Sequence, residues 1–110
     1  MSVFTNTQFE FFNYIAISYK EASEDTVELH RGTLLMTITK RTDGLYDVLC
    51  TDEKYNLCLR KADKDLEAAV RKALKGYMGI SAAVRQTCQF ILNAEEGIAE
   101  FHKKTGKYAI

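Results

Sequence analysis

The chain has 110 residues, with 15 lysines and arginines against 15 aspartates and glutamates. That even balance speaks against a generic polyanion binder, which would be basic overall. Hydrophobic residues make up 46% of the chain, which speaks against disorder and is enough to build one globular α+β domain over 1–110.

The elements follow in chain order. Thr7, with Glu10 three residues later, has the form of a capping box, in which side chains satisfy free backbone N–H groups. It predicts a helix from about Gln8 to Glu21. Phe9, Phe12, Ile15, Ala16 and Tyr19 share one helical face, while Phe11, Tyr14 and Ile17 lie elsewhere on the circumference. Phe9, Phe11, Ile15, Ile17 and Tyr19 also alternate as a strand would, but the cap and the length favour the helix. The rings of Phe4, Phe9, Phe11, Phe12, Tyr14 and Tyr19 read as core. Base stacking would want cations beside them, and this region is acidic.

A first strand is expected over Thr26 to His30, with Val27 and Leu29 inward. Arg31-Gly32 would be its turn and Leu29 would lie opposite Leu34. From Gly32 to Arg60 the apolar residues recur with a period of two. Leu34, Met36 and Ile38 form one set, Tyr46, Val48 and Cys50 a second, and Tyr55, Leu57 and Leu59 a third. Asp43-Gly44 and Asp52-Glu53-Lys54 are the turns between them. Placing Ile38 opposite Val48, and Val48 opposite Leu57, puts all nine residues on one face of a three- or four-stranded antiparallel meander. The other face mixes Leu35, Leu49 and Cys58 with Thr37, Asp47 and Arg60.

After Arg60 the period becomes helical. Asp63 or Asp65 can cap a helix whose stripe is Leu66, Ala69, Val70, Ala73, Leu74 and Tyr77, ending near Gly76–Gly79. A last helix is expected from Ser81 to about Lys104, with Val84, Cys88, Ile91, Leu92, Ile98 and Phe101 as its stripe and Gly97 marking a bend or a close contact.

Catalytic chemistry finds little support. His30 and His102 lie in no zinc-ligand spacing, and Glu95, Glu96, Glu100 and His102 do not converge on a metal. Thr105-Gly106-Lys107 lacks the earlier glycine of a phosphate loop. The adjacent pairs Asp52-Glu53 and Glu95-Glu96 diverge. No cofactor or metal is expected. Cys50, Cys58 and Cys88, without a Cys-x-x-Cys or a leader, predict reduced thiols in a cytoplasmic protein. Only Cys58, beside Arg60, suits a reactive thiol, which leaves a thiol-dependent enzyme as a third reading. No apolar run reaches the roughly 20 residues of a membrane span.

Charge is segregated. Glu21, Glu24, Asp25 and Glu28 make an acidic region, and Arg60, Lys61, Lys64, Arg71, Lys72 and Lys75 a basic one. The leading expectation is a non-enzymatic module that binds another protein through one of these surfaces. The alternative is a nucleic-acid-binding domain that uses the basic set, with Tyr55 or Tyr77 nearby. A homodimer through the mixed sheet face or the last helix is also open. The element order, helix then meander then two helices, resembles that of some small phage-encoded inhibitors of CRISPR effectors. That resemblance implies a regulator or inhibitor of a host protein complex, and it carries over no residue roles.

Overall fold

Helix α1, Asn6–Ile15, starts two residues before the expected start at Gln8. Thr5 is the N-cap: its hydroxyl accepts the Gln8 N–H at 3.1 Å, and the Gln8 Oε1 accepts the Thr5 N–H at 3.0 Å. The reciprocal pair is thus Thr5 and Gln8, not Thr7 and Glu10. Gln8 wins because its amide is also needed inside. It is 5% exposed and its Nε2 donates to the Tyr46 hydroxyl at 2.9 Å. Gln8→Ala should therefore destabilise the fold by about 2 kcal/mol, since it strips a cap and strands a buried hydroxyl. A double-mutant cycle with Tyr46→Phe in urea unfolding checks this. Additive effects would show that the two side chains do not act together.

The computed structural model describes residues 2–16, 18–53, 56–80 and 95–104, with backbone alone at 31, 57 and 77–80. It contains a five-stranded antiparallel sheet, where a three- or four-stranded one was expected. The strands are β1 Ser18–Ser23, β2 Thr26–Arg31, β3 Leu34–Lys40, β4 Tyr46–Asp52 and β5 Leu57–Asp63, and the sheet order follows the chain. The additional strand is β1, taken from the second half of the expected helix. Helix α1 stops because Ala16 is extended, at φ −127° and ψ 156°. Beyond it, Tyr19 pairs with Leu29 and Lys20 with Glu28, so strand pairing outweighs a helical continuation there.

Register differs from expectation at two hairpins. Leu29 lies opposite Met36, and Arg31 opposite Leu34, because the turn is the two-residue loop Gly32-Thr33. Gly32 sits at φ 62°, which suits the first central position of a tight hairpin. Val48 lies opposite Lys61, and Leu57 opposite Asp52. The turn at 53–56 is closed by the Asn56 N–H on the Glu53 carbonyl at 3.3 Å, and Asn56 takes φ 52°. Both shifts are by an even number of residues, so no strand changes face. Ile38 opposite Val48 stands as expected, and Gly44 supplies the positive φ of that hairpin at 89°.

Val27, Leu29, Leu34, Met36, Ile38, Tyr46, Val48 and Cys50 are buried on one face, under the helices. Helix α2, Leu66–Ile80, covers β4 and β5 with Leu66, Ala69, Val70, Ala73 and Leu74. Asp65 caps it, its carboxylate accepting the Ala68 N–H at 2.9 Å. The helix ends at Ile80, one residue past the expected Gly76–Gly79 stop, and Gly76 lies within it. A Cβ at Gly76 would come within 2.6 Å of the Leu59 side chain, so the glycine is a notch for β5. Residues 95–104 are helical and dock on α1. Phe101 is fully buried, with its ring 5.2 Å from Phe11 and 5.8 Å from Tyr14. The rest of the expected last helix, including Cys88, lies outside the described residues, as does Tyr55.

Candidate functional site

The strand pairings define a second sheet face. Its rows are Ser18–His30–Leu35–Thr51–Cys58, then Lys20–Glu28–Thr37–Leu49–Arg60, then Thr26–Thr39–Asp47–Ala62. All of these residues are half-buried or exposed. Among the described residues, the buried helical side chains all pack on the opposite face. The centre of this open face is neutral, formed by Leu35, Thr37, Thr39, Leu49 and Thr51. Charges stand towards its edges: Lys20 and Glu28 on one side, and the Asp47–Arg60 pair (3.3 Å) on the other.

At one end the open face deepens into a cleft of about 600 Å³ lined by His30, Thr33, Leu35, Thr51 and Glu53. The β2–β3 and β4–β5 hairpins wall it. They are tied where the Thr33 hydroxyl donates to the Asp52 carboxylate at 3.0 Å; Asp52 itself is 2% exposed. The Thr51 hydroxyl reaches the Leu35 carbonyl at 3.5 Å. Sequence reasoning placed Leu35 on this face but missed the cleft, because Thr33 and Glu53 come from different turns. Their meeting depends on a register that hydrophobic alternation does not fix.

The four acidic candidates do not form one surface. Glu24 and Asp25 occupy the β1–β2 turn, and Glu21 and Glu28 point to opposite faces of the sheet. Asp25 accepts from the Ser23 hydroxyl at 2.7 Å and the Thr26 hydroxyl at 3.0 Å, and these bonds lower its carboxyl pKa from the usual aspartate value. Glu28 alone of the four stands on the open face among strand residues.

The basic candidates are also divided. Arg60 is on the open face; Lys61 is on the helical side of the same strand. Three are ion-paired: Arg60 with Asp47, Lys72 with Asp63 at 2.6 Å, and Arg71 with Glu95 at 2.6 Å and Glu67 at 3.5 Å. Lys61, Lys64 and Lys75 are exposed and form no ion pair among the described residues. Asp63 is held below the usual aspartate range, first by the Asp65 N–H and then by Lys72. Each such neutralised cation has less to offer a phosphate backbone.

The thiols are separated from the histidines. Cys50 is fully buried, and that burial pushes its pKa up to about 12. Cys58 is exposed on the open face. His30 lies in the same row but three strands away, roughly 14 Å at ordinary strand spacing. His102 is on the helical side, with its Nε2 2.5 Å from Glu67 and its buried Nδ1 without a hydrogen-bond partner among the described residues. The structure therefore sets neither histidine beside Cys58. Among the described residues no group of three or more His, Cys, Asp or Glu could hold a metal ion, and no helix is long and apolar enough to cross a membrane.

No protein-family model matches this chain, and no curated protein or solved structure is significantly similar to it.

Proposed function

We propose that the chain is a non-enzymatic protein-binding module that engages its partner with the open face of the sheet. The observation that supports this reading is the composition of that face. Its neutral centre of two leucines and three threonines is flanked by charges, as an interface core is flanked by a polar rim. All helical cover described here lies on the other side. A protein partner fits better than nucleic acid, since Arg60, Arg71 and Lys72 are already engaged by carboxylates.

The test is capture from a lysate of the source cell, with and without nuclease, using wild type and Leu49→Glu. The expected result is a stoichiometric protein partner that survives nuclease and is lost with Leu49→Glu. Stability should change little, because a half-buried surface position away from caps and core carries about 0.5 kcal/mol. A partner set that vanishes with nuclease would overturn the reading in favour of nucleic acid. A partner retained by Leu49→Glu would move the interface off this face.

A further inference from the structure

Apart from His30, whose imidazole can both donate and accept, the polar side chains lining the cleft at the end of the open face present acceptors. A threonine hydroxyl has one proton and two lone pairs, and a carboxylate has lone pairs alone. The Thr33 proton is committed to Asp52, and the Thr51 proton points to the Leu35 carbonyl. Glu53, exposed on the rim, offers acceptors alone. Towards the cleft these three residues therefore present lone pairs, over the aliphatic floor of Leu35. A guest that matches must bring donors, positive charge and an apolar stem.

Resting on the protein-binding reading above, we infer that the cleft receives an arginine side chain of the partner. The guanidinium has five N–H donors and no acceptor, and its planar fork meets a carboxylate with two parallel bonds. Glu53 takes that fork, Thr33 and Thr51 accept from its outer N–H groups, and the methylene stem lies on Leu35. An ammonium fits less well, being a compact charge that satisfies fewer of the spread acceptors. The volume lies within the range of pocket sites and leaves room for an arginine side chain.

The experiment titrates the isotope-labelled chain with N-acetyl-arginine amide and, separately, with the citrulline amide, its neutral near-isostere, and follows amide chemical shifts. Arginine should move the Thr33, Leu35, Thr51 and Glu53 resonances, and citrulline should bind about tenfold more weakly, as expected when a hydrogen bond to a charged group is lost. Glu53→Gln should weaken the arginine ligand by a similar factor and leave the thermal midpoint unchanged. Equal affinity for both amides, shifts located elsewhere, no shifts at all, or an indifferent Glu53→Gln would each overturn the assignment. The two readings fail separately. A partner lost with Leu49→Glu but kept with Glu53→Gln leaves the binding module standing and removes the arginine site.

Discussion

Gly97→Ala should lower the melting temperature by about 8–16 °C. The added Cβ would overlap the carbonyl oxygen of Tyr14 and stand 2.9 Å from its carbonyl carbon, with the Ile15 Cα at 3.5 Å. All three are backbone atoms of the last turn of α1, so no rotamer change relieves the contact. The helical segment 95–104 must back away from α1, and it carries Ile98 and Phe101, both fully buried. Overpacking of this kind costs about 3 kcal/mol, of which alanine's helix propensity offsets about 1 kcal/mol, and at this chain length each remaining kcal/mol moves the midpoint by about 4–8 °C. Gly76→Ala is the internal control. Its Cβ would meet the Leu59 Cδ2 at 2.6 Å, the far end of a flexible side chain. The alanine also gains about 1 kcal/mol of helix propensity, so the net change there should be near zero. Equal melting of Gly97→Ala and wild type by differential scanning calorimetry would show that 95–104 does not seat on α1 as described.

Phe12→Ala should be the most damaging truncation on α1, at about 4 kcal/mol, the range for removing a fully buried phenylalanine. Phe12 is 0% exposed, with ring centroids of Phe4, Phe9, Phe11 and Tyr19 between 5.6 and 6.2 Å away. Its ring joins the start of the chain, the helix and the first strand, so the cavity cannot be filled by one neighbour moving. Val3→Ala, at an exposed position, should cost less than about 0.5 kcal/mol. Urea unfolding with an unchanged m-value checks both. A Phe12→Ala loss below about 1 kcal/mol would mean that the aromatic cluster collapses around the gap rather than keeping it open.

The parts of the fold that were legible in the sequence are those fixed by local periodicity. Leu34, Met36, Ile38, Tyr46, Val48 and Cys50 do share the buried face, and Leu66, Ala69, Val70, Ala73 and Leu74 do make the stripe of α2. The aromatic residues near the start do pack as core, and Gly97 does mark a close contact. Residues 18–21 were misread as helix because Ile15 and Tyr19 fit a helix period while Ile15, Ile17 and Tyr19 fit a strand period. Tertiary pairing with β2 decides, and it has no local signal. The capping box was displaced by two positions because Thr7/Glu10 and Thr5/Gln8 both fit the pattern. Burial against Tyr46 separates them. The candidate site suffered most. Charge counted along a chain ignores which face each strand residue takes. Glu21 and Glu28 look like one acidic run but flank opposite sides of a sheet, and the basic run hides its own counter-ions in Asp47, Asp63, Glu67 and Glu95.

The order of assembly follows from the strand order. Each strand pairs with the one just before it, so the sheet is a string of hairpins with short loop closures, and each can zip within microseconds of its second strand appearing. The helical layer is different. Phe11 and Tyr14, near the start, wait for Phe101 and Gly97. During synthesis at about 5–20 residues per second, several seconds separate emergence of α1 from that of its last packing partner. For that interval the sheet can be complete while part of the α1 aromatic surface is still bare. A nascent chain stalled before residue 95 is thus a form open to chaperones, in which its two sheet edges and its uncovered rings would be available together.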